Sequence, residues 1–415
     1  MVSENAVDGA CHYLPYRPVV KEHSTTKIRP VFDASAFQEG YPSLDHSLEK
    51  GPNLIEQVPS ILNRFREREI GVVADIKKAF LQIEIDEKDR DFLRFFWIIN
   101  GLVVILRHCR VVFGLACSPF LLSAIIELHL SKALKKARLK VKLKWSQKTV
   151  QKLKISFYVD NCVTSVDTEI ELQTFIHEAN NVMLAGFELR GWESSRDNAD
   201  SSTTMVLGVL WGKQRDEIRI NPSFLEFETP KLITKRSILS CTQRVFDPIG
   251  VTCPITLQPK LILQELWTEK LDWDSEVRGK PLQDFCQWLK NLPLIKEISI
   301  PRKIGNGQIT LHAFGDASGT AYAAAIFVRV ERENKVCVSL LQARSRVAPK
   351  KATIPRLELM AASIAAKLLT ATAASLSREV MRTYCWTDST TVLAWINRDT
   401  EWGTFVYNRV KEIRT

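Results

Sequence analysis

The segment at residues 156–164 constrains the fold of this chain more than any other part of the sequence. It contains two short apolar runs around Asp160 and Asn161, the pattern of two strands joined by a tight turn. Asp and Asn tolerate the backbone angles of such turns, so a structural turn explains the pair when it is read alone. A second apolar run, residues 71–76, also carries an acidic residue at its end, Asp75. Carboxylates at two strand ends can meet around divalent metal ions, which indicates a candidate site for phosphoryl transfer.

Length and composition indicate a soluble globular protein of two or three domains. The chain has 415 residues, of which 45% are hydrophobic and 25% are charged. No apolar run reaches the roughly 18 residues that a membrane span needs, so no such span is expected. The first residues lack the basic and apolar regions of a secretory signal.

The cysteine spacing and the charge distribution further restrict the possible functions. Nine cysteines are scattered without a C-x-x-C pair or zinc-ligand spacing, which argues against structural zinc and indicates a reducing compartment. The net charge is +10, and residues 132–154 contribute ten lysines and arginines with no acidic residue. This stretch is either a solvated basic surface or a contact with a polyphosphate backbone, and charge alone favours neither interpretation.

The order of the predicted elements is that of an α+β protein. Helical spacing covers residues 54–68, 120–134, 170–185, 356–373 and 390–396. Residues 221–305 also contain helical segments. Strands are predicted at residues 71–75, 309–314, 321–330, 335–341 and 382–386, with a strand pair at 205–220.

Eleven short motifs follow one another along the chain, and each is weak alone. They are LPYRPVVKE (14–22), IRPVFDAS (28–35), GPNL (51–54), ADIKKAFLQI (74–83), FGLACSPFLL (113–122), FYVDN (157–161), LGVLW (207–211), FDPIG (246–250), FGDAS (314–318), PRLEL (355–359) and WTDS (386–389). In this order they make the chain resemble the reverse transcriptase–ribonuclease H region of BEL/Pao-type LTR retrotransposon polyproteins.

The resemblance implies a right-hand polymerase with fingers, palm and thumb, followed by a truncated α/β ribonuclease H-like domain. The implied boundaries are fingers and palm at residues 1–220, a helical thumb or connection at 221–305, and the ribonuclease H-like domain at 306–415. The implied activity is RNA-directed DNA synthesis from deoxynucleoside triphosphates on an RNA or DNA template–primer. In an active element the protein would work in a cytoplasmic particle or in the nucleus.

The resemblance also implies two Mg²⁺ ions per active site. Asp75 and Asp160 would ligate them in the polymerase, with Asn161 beside them. One ion would activate the primer 3′-hydroxyl, and the other would hold the triphosphate and stabilise the leaving pyrophosphate. Magnesium prefers oxygen ligands, so carboxylates are suited to this place.

Five further positions match the nucleotide-binding segments of the family. Arg29 would bind the triphosphate, with Lys27 as a weaker candidate. An equal alternative is that Arg29 is a surface arginine that balances the charge of Asp33. Phe80 would lie under the sugar and exclude a 2′-hydroxyl, but an aromatic residue is usually part of a core. Phe113 and Gly114 match the segment under the incoming base pair, where glycine allows close backbone approach or simply marks a turn.

In the C-terminal region the resemblance implies a second metal centre. Asp316, Glu358 and Asp388 would share two metal ions that hydrolyse RNA in an RNA–DNA hybrid. Taken singly, each has a structural alternative. Asp316 can be a turn residue, Glu358 an exposed helix charge, and Asp388 a cap of the next helix.

The chain departs from the family pattern in three ways. Asn161 stands where a second aspartate is usual, which removes a negative charge near the metals. Gly191 replaces a lysine that is a candidate proton donor to pyrophosphate, and the neighbouring Arg190 is a poor acid because its pKa is too high. The chain ends at Thr415, so a fourth carboxylate and a closing helix are expected to be missing. We therefore expect an inactive ribonuclease H unit and a fragment or degenerate copy of a longer polyprotein.

Three functions compete. The first is an RNA-directed DNA polymerase. The second is a catalytically impaired element remnant that only binds template–primer. The third, an aspartic peptidase, needs an Asp-Thr-Gly or Asp-Ser-Gly loop, and the sequence contains neither.

Overall fold

The computed structural model describes residues 10–20, 28–55, 57–139, 143–197, 203–226, 230–333 and 335–414. The strands are β1 (Tyr16–Val20), β2 (Ile28–Phe32), β3 (Ile70–Ile76), β4 (Arg94–Ile99), β5 (Leu102–Arg107), β6 (Phe157–Tyr158), β7 (Asn161–Val166), β8 (Leu189–Ser194), β9 (Thr203–Val206), β10 (Val209–Gly212), β11 (Glu217–Ile220), β12 (Ser299–Pro301), β13 (Gln308–Ala317), β14 (Ala321–Arg332), β15 (Lys335–Val347) and β16 (Val380–Trp386). The helices are α1 (Leu44–Ser47), α2 (Val58–Arg66), α3 (Ser118–Arg138), α4 (Gln147–Lys154), α5 (Glu169–Met183), α6 (Lys235–Gln243), α7 (Cys253–Thr268), α8 (Gly279–Asn291), α9 (Ile354–Ser375), α10 (Thr390–Asn397) and α11 (Thr404–Arg414). Short 3₁₀ segments lie at Ala79–Gln82, Glu87–Leu93, Pro222–Leu225 and Leu292–Glu297.

The chain divides into two compact units that are each discontinuous in sequence. The first unit contains Met1–Glu56, Ala74–Cys162 and Gln173–Trp192, and the second contains Gln57–Val73, Val163–Leu172 and Glu193–Thr415. A four-stranded sheet has the order β6-β7-β3-β8. Almost every residue of β3 is buried, which explains its continuous apolar sequence in place of a polar–apolar alternation.

Two antiparallel hairpins belong to the first unit. One pairs β1 with β2, and the other pairs β4 with β5. Asn100 and Gly101 join β4 to β5 with φ angles of 52° and 81°, and these positive angles are those of the Asn-Gly turns that close tight hairpins. The core of this unit includes Leu14, Phe32 and Leu93.

The first part of the second unit combines a small sheet with the predicted helical region. Strands β9 to β12 form an antiparallel sheet of order β12-β11-β10-β9. Helices α6, α7 and α8 confirm the helical prediction for residues 221–305, and they bury a core that includes Ile238, Phe285 and Trp288. The predicted strand pair at 205–220 was wrong, because the segment from 203 to 220 forms three strands. Leu207 and Gly208, with φ angles of 49° and 89°, make a tight turn that the apolar pattern conceals.

The C-terminal part of the second unit is a four-stranded sheet covered by a long helix. The strand order is β15-β14-β13-β16, with antiparallel pairs except for the parallel pair β13–β16. Helix α9 connects the sheet to β16, as the crossover between parallel strands requires. Residues of β13 and β14 alternate between buried and less buried positions, and the buried set packs with Ala365 and Leu369 of α9.

Within the described ranges, α9 is the one helix long and apolar enough to cross a membrane by length and composition. Its buried residues pack on the sheet and on other elements of the same unit. Leu369 contacts the β13–β14 core, and Leu359 forms a cluster with Val392 of α10 and Val410 of α11. A core helix of a globular domain has the same character.

The predicted helices are present, with one substantial change of boundary. The helix predicted over 54–68 begins only at Val58. Pro59 lies in its first turn, where the missing N–H costs no helical hydrogen bond, and the preceding N-cap residue Gln57 is extended with φ −68° and ψ 134°. Leu54 is consequently 46% exposed and lies outside the helix. The other predicted helices differ from the observed ones by a few residues at their ends.

Arg302 is a fully buried arginine that forms hydrogen bonds with several segments of the second unit. Its Nε and Nη2 atoms donate to the two carboxylate oxygens of Asp216 at 2.5 and 2.6 Å. The guanidinium also donates to the carbonyl oxygens of Phe65, Arg68 and Glu69, at and beyond the end of α2. A Cβ atom on Gly71 would lie 2.9 Å from the Arg302 side chain, so glycine is needed there.

We predict that Asp216→Asn lowers the free energy of unfolding by about 2–4 kcal/mol, because Arg302 stays buried without its carboxylate. Asp274→Asn is the matched control, since it breaks the Arg236–Asp274 pair whose side chains are 66% and 73% exposed. That change should leave the urea midpoint nearly unchanged, because solvent screens both charges. Urea unfolding followed by fluorescence measures both variants, and equal losses would contradict the prediction.

Candidate functional site

The predicted hairpin around Asp160 is present, but its unusual backbone angle lies on another residue. Strands β6 and β7 pair Phe157 with Cys162 and Tyr158 with Asn161, which leaves Val159 and Asp160 as a two-residue loop. Val159 has a φ angle of 55°. Neither Asp160 nor Asn161 has a positive φ angle, so the structural alternative, that the turn's backbone angles explain this pair, is not supported. A β-branched residue at positive φ is strained by about 1–3 kcal/mol, and such strain clusters at functional sites.

Asp75 and Asp160 lie next to each other on neighbouring strand ends. The backbone N–H of Ile76 donates to the carbonyl oxygen of Asp160 at 2.9 Å. Burial raises the pKa of the Asp160 carboxyl, and the negative charge of Asp75 raises it further. The two carboxylates are thus close enough to repel each other, as they must be to share metal ions.

Each of these carboxylates has a polar neighbour that reduces the repulsion. The Asn161 side-chain amide donates to Asp160 Oδ1 at 3.0 Å. The guanidinium of Arg190 donates from Nε to Asp75 Oδ2 at 3.1 Å. From the sequence, Arg190 was considered only as an acid, and its ion pair with Asp75 was not predicted. The sequence did contain a hint of this pair. Asp75 and Lys77 are two residues apart on one segment, and Glu188 and Arg190 are two residues apart on another. When Lys77 pairs with Glu188, as it does at 2.9 Å, the equal spacing brings Arg190 to Asp75.

Gly191 has a structural reason to be glycine in this chain. Its φ angle is 62°, a left-handed conformation that favours glycine. A Cβ atom at this position would lie 3.0 Å from Asp75 Oδ1. A lysine here would therefore be strained and would crowd the carboxylate.

Three of the predicted nucleotide-binding residues lie together in the first unit. The ring of Phe80 is buried and packs edge-to-face against Phe113, with ring centroids 4.4 Å apart. Phe113 itself is 61% exposed. Gly114 has a φ angle of 104°, and a Cβ atom there would lie 2.1 Å from the carbonyl oxygen of Phe32. Close backbone approach thus requires glycine at this position.

The structure describes less of the other two predicted nucleotide-binding residues, Arg29 and Lys27. Arg29 lies in β2, with its backbone opposite Val19 of β1, and its side chain lies outside the described part of the structure. Lys27 lies outside the described residues. The carboxylate proposed as a surface partner for Arg29, that of Asp33, accepts hydrogen bonds from the backbone and side chain of Ser35 at 3.0 and 2.6 Å.

A second acidic cluster lies in the second unit. Asp316 is near the end of β13, Asp388 follows β16, and Glu358 is on α9. The pairing of Phe314 with Trp386 places both aspartates two residues beyond the same point of two parallel strands. One carboxylate oxygen of each residue lies within 4.8 Å of those of the other two.

The structural alternatives for these three residues do not hold. Asp388 does not cap α10, because the Ser389 side chain accepts the hydrogen bond from the Val392 backbone. Glu358 is not an exposed helix charge, since only 8% of it is accessible. Asp316 is a strand residue, and its Oδ1 accepts from the Ala317 N–H at 2.7 Å.

The electrostatics of this cluster suit a divalent cation. Burial raises the pKa of Glu358, and the charges of Asp316 and Asp388 raise it further. Glu358 Oε2 is buried without a hydrogen-bond partner. In the described part of the chain, no cation forms an ion pair with any of the three carboxylates. An oxygen-only donor set with an unneutralised buried oxygen fits a hard divalent ion such as Mg²⁺ or Mn²⁺.

The basic stretch at 132–154 falls on the end of α3, on α4 and on the segment between them, of which residues 140–142 lie outside the description. Lys154 pairs with Glu127 of α3 at 2.7 Å and donates to Ser131 at 3.1 Å. Lys135, Lys136 and Lys144 are exposed. Lys154 therefore has structural partners within the first unit, while Lys135, Lys136 and Lys144 face solvent.

The fold is similar to that of solved retroviral reverse transcriptases. A foamy viral protease-reverse transcriptase in complex with double-stranded DNA matches 96% of this chain at 14% identity and a TM-score of 0.60. A foamy viral protease-reverse transcriptase in complex with an RNA/DNA hybrid matches 97% of the chain at 13% identity and a TM-score of 0.60. The chain spans 63% and 49% of the lengths of these two proteins. The likeness shows that the α+β fold of this chain is similar to the fold of these proteins.

Residues 234–389 match the family described as the Pao retrotransposon-like RNaseH-like domain. The match includes Asp316, Glu358 and Asp388. The predicted resemblance to the reverse transcriptase–ribonuclease H region of Pao-type retrotransposons is therefore confirmed. No curated protein matches the sequence.

We predict that Glu358→Gln stabilises the protein in the presence of a chelator by about 1 kcal/mol at pH 7, because the amide can donate to the neighbouring carboxylates. A carboxyl whose folded-state pKa is raised contributes stability at low pH and loses it as pH rises through that pKa. The advantage of the variant should therefore vanish as pH falls below the ordinary value of 4.5.

Thermal unfolding of both proteins between pH 4 and 8 measures this difference. Added Mn²⁺ should stabilise the wild type more than the variant. A variant that is less stable than the wild type at pH 7 without metal would contradict the electrostatic interpretation.

Proposed function

We propose that this chain is an RNA-directed DNA polymerase of a retroelement that extends a primer on an RNA or DNA template with deoxynucleoside triphosphates. The observation that carries the proposal is the meeting of Asp75 and Asp160 on adjacent strand ends. The Asp160 carboxyl is partly buried and lies beside the negative charge of Asp75, so a cation is needed there when both groups are ionised. That is the requirement of a metal-dependent nucleotidyl transferase.

The domain layout of the proposal follows the reverse transcriptase fold. Residues 1–220 form the fingers and palm, 221–305 the thumb or connection, and 306–415 the ribonuclease H-like domain. The fold likeness over nearly the whole chain supports this layout. The two foamy viral proteins were solved with double-stranded DNA and with an RNA/DNA hybrid, which supports a nucleic-acid duplex as the partner of this chain.

Asp75 and Asp160 would hold the metal ions of the polymerase site. When bound, a pair of Mg²⁺ ions supplies activation of the primer hydroxyl and neutralisation of the triphosphate charge. Asn161 holds the Asp160 carboxylate through its amide hydrogen bond. Phe80 and Phe113 would lie under the sugar and base of the nucleotide, with Phe113 presenting the exposed ring of the packed pair. Arg29 and Lys27 remain candidates for contact with the triphosphate.

A second candidate activity is hydrolysis of the RNA strand of a hybrid at Asp316, Glu358 and Asp388. The specific observation in its favour is the approach of the three carboxylates to within 4.8 Å, with one buried oxygen unpartnered. The expectation from the sequence is the opposite, an inactive unit. A cleavage assay decides between the two. Nothing in the described ranges of the chain supports a peptidase.

We predict that Asp75→Asn lowers Mg²⁺-dependent nucleotide incorporation on poly(rA)–oligo(dT) by about 100-fold or more, because a metal ligand is lost. Asn161→Asp should retain or raise the activity, since it restores a metal-binding charge. Asp274→Asn, on an exposed surface of the second unit, is the matched control and should have wild-type activity. Absence of incorporation by the wild type at any metal concentration would leave only template–primer binding.

The nuclease candidate has an independent test in the same full-length chain. If it is correct, the wild type cleaves the RNA strand of a labelled hybrid with Mg²⁺ or Mn²⁺, and Asp316→Asn reduces the rate by about 100-fold or more. Asp75→Asn should leave the cleavage unchanged. Cleavage that persists in the Asp316→Asn variant would rule out this cluster as the centre.

A further inference from the structure

The ion pair between Arg190 and Asp75 occupies a carboxylate that the proposed function needs for metal binding. The distance from Arg190 Nε to Asp75 Oδ2 is 3.1 Å, and the two side chains are 52% and 37% exposed. An ion pair in contact with water is weak, because solvent screens both charges. It can therefore exchange with another cation that offers a stronger interaction.

The neighbouring residues leave Arg190 as the cation of this carboxylate. Lys77 lies two residues beyond Asp75, but both oxygens of Glu188 accept its hydrogen bonds at 2.9 Å. For Asp75 and Asp160, Arg190 provides the ion pair found in the described residues. Asn161 offers Asp160 a neutral N–H group, which cannot balance charge in the same way.

The position of Arg190 depends on the backbone beside it. Gly191 adopts a φ angle of 62°, and its missing Cβ leaves room 3.0 Å from Asp75 Oδ1. The Arg190 guanidinium therefore contacts Asp75 Oδ2, while Gly191, which has no side chain, lies beside Asp75 Oδ1. A metal ion that binds Asp75 meets a guanidinium already attached to the same carboxylate.

We propose that Arg190 is the resident counter-ion of Asp75 and that it sets the affinity of the polymerase site for its divalent metal, because metal binding must displace the guanidinium. The proposal rests on the proposed function, which makes Asp75 a metal ligand. Arg190 is thus a positioning residue: it neutralises Asp75 beside Asp160 without metal and competes with the metal as it enters. Electrostatic repulsion between the guanidinium and a dication strengthens the competition.

The test measures binding of Mn²⁺ alone, by the electron paramagnetic resonance signal of the free ion, without nucleic acid or nucleotide. The full-length chain carries Asp316→Asn and Asp388→Asn, so that the second acidic cluster does not contribute. In this background Arg190→Gln and Arg190→Met should bind Mn²⁺ about three- to tenfold more tightly. Arg190→Lys keeps a cation and should stay within about twofold of the parent.

Lys77→Gln is the matched control, because it removes one positive charge near the same carboxylate from a residue that is paired with Glu188. Its Mn²⁺ affinity should change by less than about twofold, which separates direct competition from a general change of field. Thermal unfolding verifies that each variant is folded. The inference is overturned if both neutral variants bind Mn²⁺ no more tightly than the parent, or if Lys77→Gln has the same effect.

This result is distinguishable from failure of the proposed function. If Mn²⁺ binds as expected but the wild type incorporates no nucleotide, the metal competition stands and the polymerase assignment falls. If no variant that retains Asp75 and Asp160 binds Mn²⁺ at millimolar concentration, both are overturned.

Discussion

The pairing of strands fixes where the aspartates of the two acidic centres lie. Metal binding at either centre would depend on that constraint. In the first unit, the hydrogen bond from Ile76 to the carbonyl of Asp160 brings two strand ends together. In the second unit, the parallel register of β13 and β16 carries Asp316 and Asp388 to the same edge of a sheet. Like charges gathered in this way raise the free energy of the folded state, so burial of the strands must outweigh the repulsion.

The second unit also contains a buried positive charge that must be compensated. Arg302 is fully buried, and a lone guanidinium there would be unstable. It is stabilised by Asp216, whose Oδ1 also accepts from Trp211 Nε1, and by backbone carbonyls at and beyond the end of α2. The last carbonyls of a helix lack intrahelical donors and carry the negative end of its dipole, so a cation suits this position.

Arg66 extends the same arrangement without any carboxylate. It donates to the carbonyl oxygens of Leu340, Arg302 and Pro301 at 2.8, 3.2 and 3.4 Å. Burial, and secondly the charge of Arg302, lowers its pKa to about 10. The unit therefore buries two arginines next to each other, and their cost is offset mainly by backbone oxygens. Substituting either residue leaves several carbonyls without donors.

The sequence predicted the parts of the fold that depend on local pattern. The hairpin at Asp160, the helices of residues 221–305 and the strands carrying Asp316 and Asp388 follow from apolar spacing and turn residues. The approach of three carboxylates from β13, α9 and the end of β16 was inferred from the order of motifs rather than from spacing. Local pattern did not reveal the positive φ angle of Val159, since a β-branched residue is not expected there.

Contacts between distant residues were the main omission. Arg302 and Asp216 are 86 positions apart, and Arg190 and Asp75 are 115 positions apart. Apolar periodicity identifies helices, strands and their buried faces, but it does not identify the charged partners of residues this far apart. Arg302 is fully buried, and its partner Asp216 together with the surrounding carbonyls explains that burial.

The two acidic centres reduce like-charge repulsion by different means. In the first, a guanidinium pairs with Asp75 and an amide donates to Asp160, so the metal-free site carries part of its own counter-charge. In the second, the described residues provide no cation, and the repulsion instead favours protonation of Glu358. A metal ion entering the second centre would compete with a proton on Glu358, whereas one entering the first would compete with the Arg190 guanidinium as well as with a proton on Asp160. Metal binding would therefore be coupled to pH at both centres, and at the first centre also to the position of one arginine.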